Sequence, residues 1–248
     1  MSNPARQLAD VITLPVRNIG GQAASVVGTA AEHARVWTAN EVDDWGRDNG
    51  FVDRVWSASR LRWHISVGGA EHIPKRKGAL IVVNSRRFSL APIFAALAIG
   101  GAVGRPVRFV GRPDVAPLGP TMQRLGGLLP IPREIESALR ADELIVLGAE
   151  PQLTNRTSGT IDHRIVGAAT MTKTAAIPAA TVSVPLRRSA RVEIGAPIRL
   201  RRKRRGPLEE LELADALQAH LDGLLDELGG AMTGTPLDWL PLGGIGGV

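Results

Sequence analysis

Five consecutive apolar residues, Ala79-Leu80-Ile81-Val82-Val83, run without a polar alternate between Gly78 and Asn84. A strand with one face in water alternates apolar and polar side chains, whereas an unbroken run this short marks a strand buried at the centre of a sheet. Glu143 to Leu147 reads as a second such strand. Between and after them the pattern turns helical. Pro92 suits the first turn of a helix with Ile93 to Ile99 as its body. Strands alternating with helices define an α/β layered domain with a mostly parallel or mixed sheet.

The rest of the chain fits that frame. Trp63-His64-Ile65-Ser66-Val67 alternates bulky and small residues, and Pro106 to Val110 is strand-like. Leu118 to Leu125 reads as a helix, followed by a short Leu128-Leu129-Pro130-Ile131 and a helix from Glu134 to Arg140. Asp162 caps a helix running to about Thr174. Ile177 to Val184 and Arg191 to Ile194 are strands. Leu208 to Leu228 is an acidic amphipathic helix, its stripe made of Leu211, Leu217, Leu221, Leu224, Leu225 and Leu228.

The first sixty residues show helical spacings at Val26, Val27, Ala30, Ala34 and Trp37, and again at Phe51, Val55 and Trp56. Glu41 to Gly46 between them is a turn or cap. Trp37, Trp45, Trp56 and Trp63 all fall in this quarter; core packing is the first reading, an interfacial aromatic anchor the second. The expected divisions are a helical extension over 1–61, an α/β domain over 62–200, a basic run with its amphipathic helix over 201–228, and a Gly-rich surface tail over 229–248.

Composition narrows the chemistry. With 248 residues and 44% hydrophobic content, one sizeable core is expected. The absence of Cys excludes disulfides, thiolate metal sites and a Cys nucleophile, and no metal site is expected. No signal peptide is read at the N-terminus. The uncharged stretch Phe88 to Gly104 is broken by Pro92 and Gly100-Gly101 and falls short of the roughly 20 residues a spanning helix needs. A net charge of +6 favours polyanionic partners.

From Val67 to Ile198 the chain resembles, block by block, the lysophosphatidate acyltransferases of the glycerophospholipid acyltransferase family. "VGGAEHIPKRKGALIVVNS" is similar to the family's Gly-x-Glu-x-Ile-Pro segment leading into a buried strand that ends in Asn-His. "VRFVGRPDVAPLGPTMQRLGGLLPIPR" matches the next block through Arg112, Pro117, Gly119, Gly126 and Arg133. Glu150 keeps the Glu of a third block, Glu-Gly-Thr-Arg, but Pro151, Gln152 and Leu153 replace its other residues; Arg156 lies nearby. Gly167 to Val184 with Pro178, then "RVEIGAPI", resemble the family's ending. The resemblance implies a single acyltransferase-like α/β domain with a helical N-terminal extension and a C-terminal amphipathic helix.

The family transfers an acyl group from acyl-CoA or acyl carrier protein to a glycerol hydroxyl, using a His-x-x-x-x-Asp pair in which His takes the proton and Asp orients it. Here that pair is missing. Aligned on Pro92, its places hold Arg86 and Ala91; aligned on Asn84, they hold Ser85 and Leu90. Guanidinium stays protonated and offers no lone pair, so Arg86 is no substitute base. None of the five histidines begins such a motif: His33, His64, His72, His163 and His220 are followed five places on by Thr38, Gly69, Lys77, Ala168 and Leu225. His163 is the one outside candidate, against the plainer reading of a surface His beside a helix cap.

Phosphate-binding character survives. Asn84, Arg86, Arg87, Arg112, Arg133 and Glu150 occupy substrate-binding places implied by the resemblance, and guanidinium forks suit phosphate. The densest charge cluster, Arg201-Arg202-Lys203-Arg204-Arg205, has three readings: a peripheral anchor on an anionic bilayer, a solvated loop, or a nucleic-acid contact. The last is disfavoured by 4% aromatics and no Tyr. The expectation is a cytoplasmic protein, peripheral at the inner membrane surface, that binds phospholipid or lysophospholipid with impaired catalysis and assists an active acyltransferase. The alternatives are an enzyme with a non-standard base and a nucleic-acid or scaffold protein.

Overall fold

The structure, a computed structural model, describes residues 42–85, 90–150, 159–184, 189–199, 206–229, 231–232 and 245–246. In chain order the elements are α1 (Asn49–Arg62), β1 (His64–Gly68), a 3-10 turn (Ala70–His72), β2 (Ala79–Val83), α2 (Ala91–Val103), β3 (Val107–Val110), α3 (Leu118–Arg124) and β4 (Gly127–Leu128). There follow α4 (Pro132–Arg140), β5 (Leu144–Gly148), α5 (His163–Thr172), β6 (Ala175–Val184), β7 (Ser189–Ile194), α6 (Pro207–Glu227), β8 (Ala231–Met232) and β9 (Ile245–Gly246). Asp162 caps α5 by accepting from the Arg164 amide, as its sequence position predicts. The expected helical stretch Val26 to Trp37 lies outside the described residues.

The sheet order is β1-β7-β6-β2-β5-β3-β4. β2 pairs parallel with both β6 and β5, and β3 pairs parallel with β5 and β4. β7 turns back antiparallel to β6, with β1 parallel to β7. One edge of the sheet therefore gathers the carboxyl ends of β2 through β6 with the amino ends of β1 and β7. All five residues of β2 are fully buried, as an unbroken apolar run requires.

Alternation along the strands sends Leu80, Val82, Ile145 and Leu147 to one face. There they join Ile135, Leu139, Ile165, Val166, Leu213 and Leu217 from α4, α5 and α6. α2 covers the other face against β2, β3 and β5. α6 departs from its expected stripe: Leu211 is 42% exposed, while Leu213 and Ala214 are buried. The helix meets both α5 and β6, so its buried face is set by two neighbours rather than one stripe. Within 229–248, Ala231–Met232 pairs with Ile245–Gly246, and Ile245 pairs with Ser183 of β6.

Residues 39–248 form one compact unit, and α1 is built into it. Arg108 of β3, 1% exposed, donates through Nη2 to Asp43 (2.6 Å) and Glu143 (3.1 Å) and lies over the Trp45 ring. Asp43 also accepts from the amides of Trp45 and Arg47. Burial lowers the affinity of the Arg47 guanidinium for its proton, and the Arg108 charge adds to this; Asp43 and Glu143 oppose it. Asp48 accepts from the Phe51 amide as the cap of α1 and pairs with Arg124 at 2.7 Å. Trp45 packs on the core and Trp63 is buried, as the core-packing reading expects. Trp37 lies outside the described residues.

Candidate functional site

In open α/β sheets, ligands bind beyond the carboxyl ends of the strands. At this carboxyl edge the chain leaves β2 through Asn84 and Ser85, β3 through Gly111 and Arg112, β4 toward Arg133, and β5 through Ala149 and Glu150. Residues far apart in sequence thus meet at one edge because their strands are parallel.

Asn84 is buried and faces β6. Its Oδ1 accepts from the Thr181 amide (2.6 Å) and hydroxyl (3.0 Å), and its Nδ2 donates to the Thr181 carbonyl (2.9 Å). β2 has ended by this point, with Val83 opposite Ala179. The Asn84 side chain therefore continues the β2–β6 ladder and fixes where the chain leaves the sheet. In the sequence Thr181 is signalled only by a hydroxyl inside an apolar strand.

Ser85 follows on the α2 face and is 8% exposed. A Cβ on Gly148, the last residue of β5, would lie 2.6 Å from Pro92 Cγ and 3.2 Å from Ser85 Cβ. The ends of β2 and β5 and the first turn of α2 are thus in close contact. Ala91, one of the two places the pair would occupy, is the fully buried first residue of α2, and Leu90 is its cap.

Arg112 follows Gly111, whose φ of 118° lies in the region that favours glycine. Both amides donate to the Leu128 carbonyl, at 3.1 and 3.0 Å, which holds the loop after β3 against the loop after β4. The Arg112 side chain is half-buried, and its Nε is shielded from solvent without a hydrogen-bond partner among the described residues. Arg133 is exposed in the first turn of α4. The Glu134 beside it accepts from the Leu129 amide at 3.2 Å.

Glu150 is exposed and exchanges backbone hydrogen bonds with Thr160, which returns the chain to the end of β5. His163 then opens α5, half-buried, at the same edge but on the α4–α6 face. His72 donates from Nδ1 to the Ile194 carbonyl (2.9 Å) and His220 to the Ala216 carbonyl (2.8 Å), so both hold structure. Among the described residues no group of His, Asp and Glu could hold a metal ion. Arg86 and Arg87 lie outside the described residues, as do Arg156 and the run Arg201, Arg202, Lys203, Arg204 and Arg205. The neighbours of that run are described: Arg199 follows Ile198, whose amide donates to Ala176 at the start of β6, and Gly206 caps the start of α6.

The fold is similar to that of a solved lysophosphatidate acyltransferase. The crystal structure of the 1-acyl-sn-glycerophosphate (LPA) acyltransferase PlsC from Thermotoga maritima superposes with a TM-score of 0.53 at 15% identity, over 82% of this chain and 88% of that one. No family model matches the sequence, and no curated protein matches it either. Among the described residues, no helix is long and apolar enough to cross a membrane.

Proposed function

We propose that the protein binds the phosphate-bearing end of a lysophospholipid or phospholipid at the carboxyl edge of its sheet, and that it does not run acyl transfer through the His-x-x-x-x-Asp chemistry its fold usually carries. The carrying observation is Arg112, whose Nε is withdrawn from water without an acceptor among the described residues. An unmet buried donor on a charged group is costly, and a phosphate oxygen is the acceptor a guanidinium fork suits best. Arg133 stands in the first turn of the neighbouring helix α4, and by sequence Arg86 and Arg87 follow Ser85 at the end of β2. No lone-pair base stands at Ser85 or Arg86, and a missing general base costs about 10²–10⁴-fold in rate. The protein accordingly acts as a lipid-binding relative that assists an active acyltransferase.

Calorimetric titration with a soluble short-chain lysophosphatidate tests the binding. Arg112→Ala is expected to weaken it about 10- to 100-fold, the worth of a charge-assisted hydrogen bond; unchanged affinity would sink the proposal. In parallel, long-chain acyl-CoA and lysophosphatidate are incubated with the protein and the products weighed by mass spectrometry. No turnover is expected, and activity gained by Arg86→His/Ala91→Asp or Ser85→His/Leu90→Asp would reveal an intact substrate cleft.

A second reading has one observation in its favour, the position of His163 at the same edge. An enzyme using His163 as its base, with acyl-CoA or acyl carrier protein as donor, turns over as the natural protein and loses that activity in His163→Ala.

A further inference from the structure

We propose that a second copy of this chain pairs with β1 through its own β1, running antiparallel, so that two sheets join across a twofold axis. The inference is independent of the lipid-binding reading, because β1 bounds the sheet on the side away from Arg112 and Arg133. Among the described residues β1 is paired on one side, with β7. An open strand edge presents a row of unpaired amides and carbonyls, and natural sheets blunt such edges with short strands, charges, prolines or bulges. The other edge here is blunted: β4 has two residues, and Pro130 and Pro132 follow it. β1 has five residues and an unbroken register to β7, with no Pro, Asp, Glu, Lys or Arg among them.

The strand complements itself. Ile65 and Val67 stand opposite Ala190 and Val192 on the face that α2 covers and are half-buried, while His64 and Ser66 are exposed on the other face. Residues opposite each other in an antiparallel pair share a face. Full overlap of two copies of β1 sets Ser66 against Ser66 at the axis and Ile65 of each copy against Val67 of the other. His64 then faces Gly68, which offers no side chain to crowd the imidazole. A groove of about 730 Å³ beside the start of β1, lined by Trp56, Leu61, Trp63 and Ile65, adds apolar surface at the same edge, and Leu61 there is 88% exposed.

Charge selects the direction of pairing. Arg60 is exposed in the last turn of α1, just before β1, and Glu71 is exposed in the 3-10 turn just after it. Neither forms an ion pair among the described residues. Antiparallel pairing brings the Arg60 end of each copy to the Glu71 end of the other, once on either side of the axis. Parallel pairing would instead gather like charges at both ends. Exposed ion pairs contribute little to affinity, so these two set orientation, while the backbone ladder and the Ile65–Val67 contacts hold the copies together. An isologous contact of this kind closes at two copies.

The chain has no Cys, so a single introduced thiol reports the register. Ser66→Cys meets its own copy at the separation of opposite strand residues, about 4.5–5.5 Å between Cα atoms, within reach of a disulfide. Two His64→Cys residues would lie roughly 13 Å apart along the paired strands, beyond that reach. Mild oxidation of the full chain is expected to cross-link Ser66→Cys at least about tenfold faster than His64→Cys; equal rates overturn the proposal. Sedimentation equilibrium over about 1–500 μM covers the weak range where a small interface belongs. The natural protein is expected to dimerise there and Ser66→Lys, which apposes two cations at the axis, to stay monomeric. Arg60→Glu and Glu71→Arg each weaken the dimer, and the double variant restores it. Thermal melting confirms that each variant is folded. A natural protein that remains monomeric overturns the proposal, as does a dimer that survives Ser66→Lys or a double variant no tighter than the singles.

Discussion

Asn84 and Thr181 are joined by three hydrogen bonds across 97 residues of sequence, at the point where β2 has run out and β6 continues. A side-chain amide stands in for a strand residue. It lets the chain leave the sheet at Ser85 without abandoning the amide and carbonyl of a fully buried Thr181. Asn84→Ala strands both groups and is expected to cost about 2–4 kcal/mol, read as a lower denaturant midpoint with an unchanged slope.

The anchor of the segment before α1 makes a second expectation. Arg108 is buried and its shortest ion pair is to Asp43. Asp43→Ala leaves that charge with Glu143 as its ion-pair partner among the described residues and also frees two amides. A loss of about 3–5 kcal/mol is expected. Arg108→Met, which removes the buried charge rather than its partner, is expected to cost less; equal losses in chemical denaturation would contradict this account.

Acid dependence follows from Asp48. Its hydrogen bond to Arg124, then that from the Phe51 amide, hold its carboxyl below the ordinary carboxylate range. A depressed folded value contributes stability above the unfolded value of about 3.9, and that contribution disappears as pH falls through the folded value. Asp48→Asn is therefore expected to be less stable than the natural protein at neutral pH, with the gap closing in strong acid. Denaturation curves across that range show whether the gap closes or persists.

Asp53 runs the other way. Burial raises its carboxyl value, with Arg47 opposing. Its ionisation works against the folded state above that value, and the cost is relieved as pH falls through it. Asp53→Asn is expected to stabilise the protein at neutral pH and to make no difference in acid, measured in the same curves.

Two glycines are expected to resist substitution for different reasons. At Gly69, with φ +70°, a Cβ would fall 2.0 Å from the Ile194 carbonyl oxygen. Gly69→Ala is expected to cost about 2–4 kcal/mol from strain and overlap with backbone. Gly148→Ala pushes on Pro92 and Ser85 instead, for about 1–3 kcal/mol. Its distinguishing readout is weaker lysophosphatidate binding at temperatures where the variant is fully folded.

Much of this fold was legible along the chain, because it is local. Ala79–Val83 needs cover on both faces, Pro92 opens α2, and Asp162 caps α5. The resemblance to lysophosphatidate acyltransferases was carried by such blocks, and the missing His-Asp pair can be read from residues 84 to 92 in either register. What the sequence left open depends on which strand neighbours which. Only the order β6-β2-β5-β3-β4 brings Asn84, Arg112, Arg133, Glu150 and His163 to one edge. Only the packing of α6 against both α5 and β6 exposes Leu211 and buries Leu213. Arg108 looks like a solvated strand residue in the sequence, yet it is enclosed, because the partner that makes its burial tolerable lies 65 residues earlier. Periodicity records how far each segment must hide from water; it carries no record of the partner, since pairing is settled by surfaces that exist only once the chain has folded.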